Sequence, residues 1–372
     1  MHDVNAARLL VEVMSWKEQE PVLEHVKNLQ LLAHYKYDLY QQYSPGQRFI
    51  ENLALWLERL EPQHRDGALD LVKEKLIFFS DREISHLVEN AYPDLIVQER
   101  LRLVAEECDI PEYKVGVLSR HKRFEELKIK SIYLGLSDGA RTNELRRASN
   151  HQINNEQIWQ AYELGEYKSD SMLEGLQNEL KKAGLNSSSA HFNLVWLLDD
   201  FSGSGNTYIR YDSEKQQYKG KLTRIYNLLH ERQLIEPANY EVFLVLFVAT
   251  RQAIDHIEYW SERFTSENGF KPLQLRVQCI LERDLALKND LGHSIQTLLS
   301  EKTYFDERAN DKHMKVGGAD GRLGFADCAL PLVLSHNTPN NSIYLLWGPE
   351  DFSYPGLFPR VVRHRDIDGL QR

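Results

Sequence analysis

The chain has 372 residues, of which 42% are hydrophobic, and a formal net charge of −10. This length points to two domains, and this apolar content excludes global disorder. The acidic balance excludes a sequence-general nucleic-acid binder, which needs a broadly basic surface.

Residues 1–128 read as helices. Leu9, Leu10 and Val13 share one face, and Val26, Leu29 and Ala33 share another. Tyr43-Ser44-Pro45-Gly46 is a turn, after which Phe49, Leu53, Leu57 and Leu60 keep helical spacing. Leu69, Val72 and Leu76 mark a further helix. Ser80-Asp81-Arg82-Glu83 is a capping box, in which hydroxyl and carboxylate satisfy orphan N–H groups. This stretch carries 17 Lys and Arg against 23 Asp and Glu, so a docking or cap domain is expected, not a DNA reader. Arg120-His121-Lys122-Arg123 is a local basic cluster, read first as a solvated helix face and second as a contact for a nucleic-acid partner.

From Ser131 the pattern changes. Ile132-Tyr133-Leu134-Gly135-Leu136 reads as a strand closed by the turn Ser137-Asp138-Gly139-Ala140. Helices are expected around 144–148, 156–159 and 172–183, the last broken by Gly184 and Asn186. The uninterrupted apolar run Leu194-Val195-Trp196-Leu197-Leu198 reads as a strand buried on both faces, at the centre of a parallel sheet. A polar insertion over 210–220 precedes a helix over 222–234. A strand over 242–248, a helix over 251–264 and a strand over 273–280 complete a β-α-β rhythm. A short helix over 295–299 follows. The tail holds a glycine-rich stretch over 315–322, expected to be flexible or closely packed, and apolar segments 330–334 and 343–346 that look like final strands. The expected boundary therefore separates a helical domain (1–128) from an α/β domain (129–372).

The chemistry gathers after the central strand. Asp199 and Asp200 stand at its end, and Ser202, Gly203, Ser204, Gly205, Asn206 and Thr207 form a loop of small residues and hydroxyls. Ligands of open α/β sheets sit just past the carboxyl ends of strands. Successive N–H groups in such a turn make an anion site, and paired carboxylates accept hydrogen bonds from vicinal hydroxyls. Together they suit a ribose 5-phosphate. A Walker A loop is excluded by the missing Lys, and a dinucleotide fingerprint by Tyr208 in place of a third Gly. The bland alternative is a buried strand followed by an acidic turn.

These residues resemble the PRPP-binding motif of type I phosphoribosyltransferases. The Gly203-Ser204-Gly205 form is more similar to the phosphoribosyltransferase-like proteins of bacterial conflict and anti-phage loci (PRTase-CE), some encoded beside retrons. Leu134-Gly135-Leu136-Ser137-Asp138-Gly139-Ala140-Arg141, Leu323-Gly324-Phe325, Asn337-Thr338-Pro339-Asn340-Asn341 and Leu357-Phe358-Pro359-Arg360 carry the same resemblance, which runs from about Leu69 onward. It implies a mainly parallel sheet of type I topology behind the N-terminal all-α domain. It implies that Asp199 and Asp200 act catalytically on the ribose. It further implies that residues 202–207 bind its phosphate, that Ser137, Asp138, Gly139, Ala140 and Arg141 bind diphosphate, and that Mg²⁺ accompanies the ligand. The implied activity is cleavage or transfer of the anomeric bond of PRPP or a related ribosyl nucleotide, a glycosyltransferase reaction, in anti-phage defence. The alternative is a nucleotide sensor or scaffold without chemistry that docks a reverse transcriptase or its RNA–DNA. The basic catalytic loop of many true transferases is not evident: Lys215, Lys219 and Lys221 could serve, as could Lys315 and Arg322 beside the glycine stretch, and the bland reading of such a run is a solvated face.

Cys108, Cys279 and Cys328 are scattered and form neither a disulfide framework nor a zinc site. His86, three positions after Glu83 on a helix, reads as a surface or satisfied core histidine before a ligand, and His313 and His336 lack metal-spaced partners. The apolar run over 243–249 is too short to span a bilayer, and the N-terminus reads as no signal peptide. A cytoplasmic protein without a membrane partner is expected.

Overall fold

The computed structural model describes residues 3–17, 20–161, 166–185, 190–289, 293–318 and 320–361. Asn186, and residue 319 within the glycine-rich stretch, lie outside the described residues. The strands are β1 (Ile77–Phe79), β2 (Ser131–Gly135), β3 (Ile158–Gln160), β4 (Leu194–Ser202), β5 (Arg210–Asp212), β6 (Gln217–Lys219), β7 (Glu241–Thr250), β8 (Leu273–Leu281) and β9 (Leu332–Leu334). The chain forms two compact units, one of residues 1–83 with 282–372 and one of residues 84–281. The expected boundary at 128 falls inside the second unit.

In the second unit β3-β2-β4-β7-β8 form one sheet, parallel throughout. The chain goes from β2 to β3 on one side, then crosses back to lay β4 on the other. The switch point therefore lies between β2 and β4, where open α/β sheets bind ligands. The run Leu194-Val195-Trp196-Leu197-Leu198 is central as its composition demands, each residue at most 1% exposed. Alternation sends Val195 and Leu197 to one face and Trp196 and Leu198 to the other. The first face packs under helices Glu166–Lys182, Lys221–Glu231 and Arg251–Asn268 through Leu176, Leu180, Leu222, Ile225, Ile254 and Ile257. On the second face Tyr133, Trp196 and Phe243 stack in register, the last two 4.2 Å apart. Helix Gln98–Cys108 lies over them, with Arg100 Nη2 donating to Tyr133 Oη at 3.3 Å and Glu99 paired with Arg276 at 2.5 Å.

The first unit joins both ends of the chain. Helices Asp3–Val13, Phe49–Glu58 and Pro62–Asp70 share one core with Ile295, Leu298, Leu346 and Phe358. Phe358 is fully buried amid Tyr37, Tyr40, Tyr43, Phe49 and Phe78. Its carbonyl accepts from Thr338 Oγ1 at 2.8 Å and from Tyr40 Oη at 3.1 Å. The segments around Thr338 and Phe358 are thus packing elements. The Ser80–Glu83 capping box forms as expected: Ser80 N donates to Glu83 Oε2 at 2.8 Å and Glu83 N to Ser80 Oγ at 3.3 Å. Within the glycine stretch Gly317 and Gly321 are closely packed, a Cβ on Gly317 coming within 2.7 Å of Ala326 N, whereas Gly318 faces open space.

Three expected elements differ. Residues 77–79, expected within a helical half, form β1 and pair in parallel with β9, a partner more than 250 positions away. Residues 156–159, expected as helix, hold one 3₁₀ turn capped by Asn154 and Gln157, after which the chain extends into β3 beside β2. Residues 343–346, expected as strand, belong to the short buried helix Tyr344–Trp347. Short apolar runs read alike as strand or buried helix.

Candidate functional site

The pairing of β2 with β4 ends at Gly135 opposite Leu198, while β4 continues beside β7 to Ser202. Asp199 and Asp200 therefore emerge where β2 has stopped, at the mouth of the switch-point crevice. The loop after β2 folds over the same place. A Cβ placed on Gly139 would lie 2.3 Å from Asp200 Oδ2, so the loop backbone rests directly against that carboxylate. Residues 137–140 and the two acids, distant in the chain, thus share one site.

Asp199 is 2% exposed. Its Oδ1 accepts from Ser137 Oγ, and from Asp200 N at 3.2 Å. Its Oδ2 accepts from Tyr208 Oη at 2.7 Å and from Lys221 Nζ at 2.8 Å. Burial pushes its carboxyl above the usual range, Lys221 pulls it down, and Asp200 adds to the rise. Burial likewise drives the Tyr208 phenol well above its ordinary value, with the Asp199 charge adding to it. Asp200 Oδ1 accepts from Phe201 N at 2.9 Å.

The loop over 202–207 is anchored from β7 and its helix. Thr250 Oγ1 donates to Gly203 O at 2.5 Å and caps helix Arg251–Asn268 by accepting from Ala253 N at 3.0 Å. Gly205 has φ +79°, and a Cβ there would sit 2.9 Å from the His256 ring and 3.0 Å from Ala253 O. Only glycine meets both conditions without strain. Ser202 and Ser204 are buried, whereas Thr207 is exposed.

The polar insertion over 210–220 is an antiparallel hairpin, β5 with β6. Its two ends return to one point: Lys221 N donates to Thr207 O at 3.1 Å and Leu222 N to Tyr208 O at 2.9 Å. Helix Lys221–Glu231 thus starts against the small-residue loop, as if the hairpin were absent. Helix N-termini favour anions.

The remaining candidates are placed elsewhere. Arg141 (φ +47°) turns its guanidinium to Ser85 Oγ at 3.3 Å and Glu144 Oε1 at 3.2 Å. There it borders a cleft of about 570 Å³ lined by Ser85, Glu89, Glu144, Arg147 and Ala148. Lys219 pairs with Asp212 at 2.5 Å. In the basic cluster, Arg123 is held by Glu107 and Glu126, which favours the solvated-face reading. His86 meets Asn90 at 2.9 Å on an exposed helix face.

Sequence reasoning missed Tyr208 as a partner of Asp199 and saw Lys221 only as one of three possible cations. Nothing local marks either, since Lys221 lies 22 positions from Asp199. Among the described residues no three His, Cys, Asp or Glu side chains converge on a metal position. No helix among the described residues is long and apolar enough to cross a membrane.

The family model PRTase-CE matches residues 53–360. The chain belongs to the PRTase-CE family. It is thus a phosphoribosyltransferase-like protein, with the five-stranded parallel sheet and helical N-terminal region expected of it. No curated protein and no solved structure matches the chain. The PRTase-CE match takes in β1 through β9, and with them both loops of the crevice.

Proposed function

We propose that the β2/β4 crevice binds the ribose 5-phosphate part of PRPP or a related ribosyl nucleotide and breaks or transfers its anomeric bond. The observation that carries this reading is the convergence of the 137–140 backbone, the acids at 199–200 and the start of helix Lys221–Glu231 on one switch point. In the proposed arrangement, backbone N–H groups of 202–207 and the helix start hold the 5-phosphate. A carboxylate at 199–200 accepts the ribose hydroxyls, and the loop over 137–141 faces the diphosphate. The C1–O bond breaks with its electron pair leaving on diphosphate. The acceptor's lone pair, from water or a base, forms the new bond to C1, and its proton passes to solvent. Mg²⁺ carried on the diphosphate would neutralise charge on the leaving group.

A second reading has its own support. Arg141 is turned onto Ser85 and Glu144, and Lys221 onto Asp199, so neither cation is presented to a leaving group. This favours a nucleotide sensor that keeps the pocket without turnover. Calorimetry with PRPP and Mg²⁺, paired with an assay for released diphosphate, separates the two. Binding with release supports the enzyme and binding without release the sensor; no binding of PRPP or ribose 5-phosphate removes both. The setting in anti-phage defence, alone or beside a retron reverse transcriptase and its RNA–DNA, rests on the family resemblance. Its test is phage plating on cells with and without the parent chain: no protection by the parent would count against the setting, and equal protection by Asp200→Asn would separate protection from the crevice.

A further inference from the structure

We propose that the outer edge of β8 is an interface for a second copy of this chain. The two β8 strands pair antiparallel about a two-fold axis at Val277, and two five-stranded sheets become one.

A sheet edge presents unpaired N–H and C=O groups, and proteins guard it with short strands, lysines, prolines or bulges. The two edges of this sheet are treated differently. β3, at one end, has three residues. β8, at the other, has nine, and Leu273-Gln274-Leu275-Arg276-Val277-Gln278-Cys279-Ile280-Leu281 contains no Pro, Gly or Lys. β8 is paired with β7 from Leu273 to Leu281. Beyond that ladder, and among the described residues, its backbone makes one hydrogen bond: Leu275 O accepts from Arg276 Nη1 at 3.0 Å. Residues 273–279 are half-buried and Ile280 is 39% exposed, whereas residues 242–250 of the neighbouring β7 are buried throughout. A long edge has thus been left open and unguarded.

The strand complements itself when reversed about Val277. Residues directly opposite in an antiparallel pair share a face of the sheet. On the face packed under helix Arg251–Asn268, Leu273 meets Leu281, Leu275 meets Cys279 and Val277 meets its own copy, all apolar. On the other face Gln274 meets Ile280, and Arg276 meets Gln278. The one charge of β8, Arg276, is already paired with Glu99 at 2.5 Å and does not confront its own copy. A register centred on Arg276 would set two guanidinium groups opposite each other. Two nine-residue strands paired antiparallel share about nine hydrogen bonds, close to the number in a typical protein interface. Pairing uses up both long edges and leaves only the three-residue β3 edges, so the assembly closes as a two-fold dimer.

The test is light scattering and sedimentation of the full chain at micromolar concentration, where a dimer is expected. Gln278→Lys places an ammonium opposite Arg276 of the partner subunit, twice over by symmetry, and should raise the dimer dissociation constant about tenfold or more. Gln278→Glu offers that guanidinium a carboxylate and should leave the constant unchanged or lower it. Ile280→Lys guards the edge at a position already exposed and should shift the chain to monomer. Amides of 273–281 should exchange hydrogen more slowly in the parent than in the folded monomeric variant. Should Gln278→Lys not fold, Ile280→Lys still decides the question. A monomeric parent would overturn the proposal, as would a dimer that both lysine variants leave intact. Equal weakening by Gln278→Lys and Gln278→Glu would overturn the pairing about Val277.

Discussion

Gly139 lacks a side chain where one would occupy the space of the Asp200 carboxylate. Its backbone does not need glycine, because its φ is not positive. Gly139→Ala should therefore fold with a melting temperature near the parent's while pushing Asp200 aside. Loss of PRPP-dependent stabilisation at unchanged melting temperature is the expected result, and retained stabilisation would separate Asp200 from the site. Lys221→Met tests the neighbouring acid through pH. The Asp199 carboxyl is already raised by burial, and removing the ammonium raises it further. A carboxyl whose folded pKa exceeds its unfolded value gives stability that is full below the ordinary carboxylate range. That stability is lost as pH rises through the raised value. The deficit of Lys221→Met should thus be small near pH 4 and grow toward neutrality, reaching about 3 kcal/mol where the unpaired charge must ionise or stay protonated. Melting curves across pH measure it. A deficit independent of pH would mean that packing of the lysine stem, not its charge, supports the helix start.

At the scale of elements, the hairpin β5–β6 interrupts the path from the small-residue loop to its helix without separating them. The bonds from Lys221 N and Leu222 N to Thr207 O and Tyr208 O close the gap, and Gly220 (φ +131°) fits against Tyr208 O where a Cβ would come within 2.3 Å. The hairpin itself packs outward, with Tyr211 stacked on Trp260 at 5.9 Å and Tyr218 against Phe264 at 5.3 Å. Joining Arg210 to Lys219 through Asn-Gly, a two-residue hairpin turn, should keep PRPP binding. It should lower the melting temperature by several degrees, because Trp260 and Phe264 lose apolar cover worth about 1–3 kcal/mol. Calorimetry and melting of the shortened chain check both expectations. Lost binding in a folded protein would make the hairpin part of the site.

At the scale of the whole molecule, the division into two units matters for what each end of the chain can do. The first unit is built from residues 1–83 and from residues beyond 281, and β1 with β9 ties them. Cys328 reports on this unit: it is 2% exposed, burial pushes its thiol up to about 11, and Asn341 Nδ2 donates to it at 3.4 Å. Cys108 and Cys279, in the second unit, are half-buried. A maleimide at pH 8 should therefore modify Cys328 slowest in the native protein, with mass spectrometry following each site. In denaturant, Cys328 should become reactive in step with loss of the first unit's aromatic circular dichroism. Fast labelling of Cys328 under native conditions would mean that this unit opens readily.

Much of this was open to sequence reading because it is local. Leu194-Val195-Trp196-Leu197-Leu198 could only be a doubly buried strand, and the acids and small residues behind it could only stand at a strand's end. The β-α-β rhythm from 194 to 281 followed from runs of apolar residues with helical stretches between them. The capping box at Ser80 and Glu83 needs only four residues, and it forms as read. What depends on distant partners stayed hidden. β1 needs β9, and β3 needs β2, because a three-residue strand is specified by the neighbour whose hydrogen bonds it completes. The meeting of Asp200 with Gly139 follows from the crossover that puts β4 beside β2. The grouping of Asp199 with Ser137 follows from the same crossover, and with Tyr208 and Lys221 from a hairpin that folds back on itself. Sequence determined where acids, hydroxyls and glycines gather behind the central strand, since residue type and turn composition are properties of short stretches. Tertiary structure alone decided which groups meet the Asp199 carboxylate, since Ser137, Tyr208 and Lys221 arrive from separate stretches of the chain.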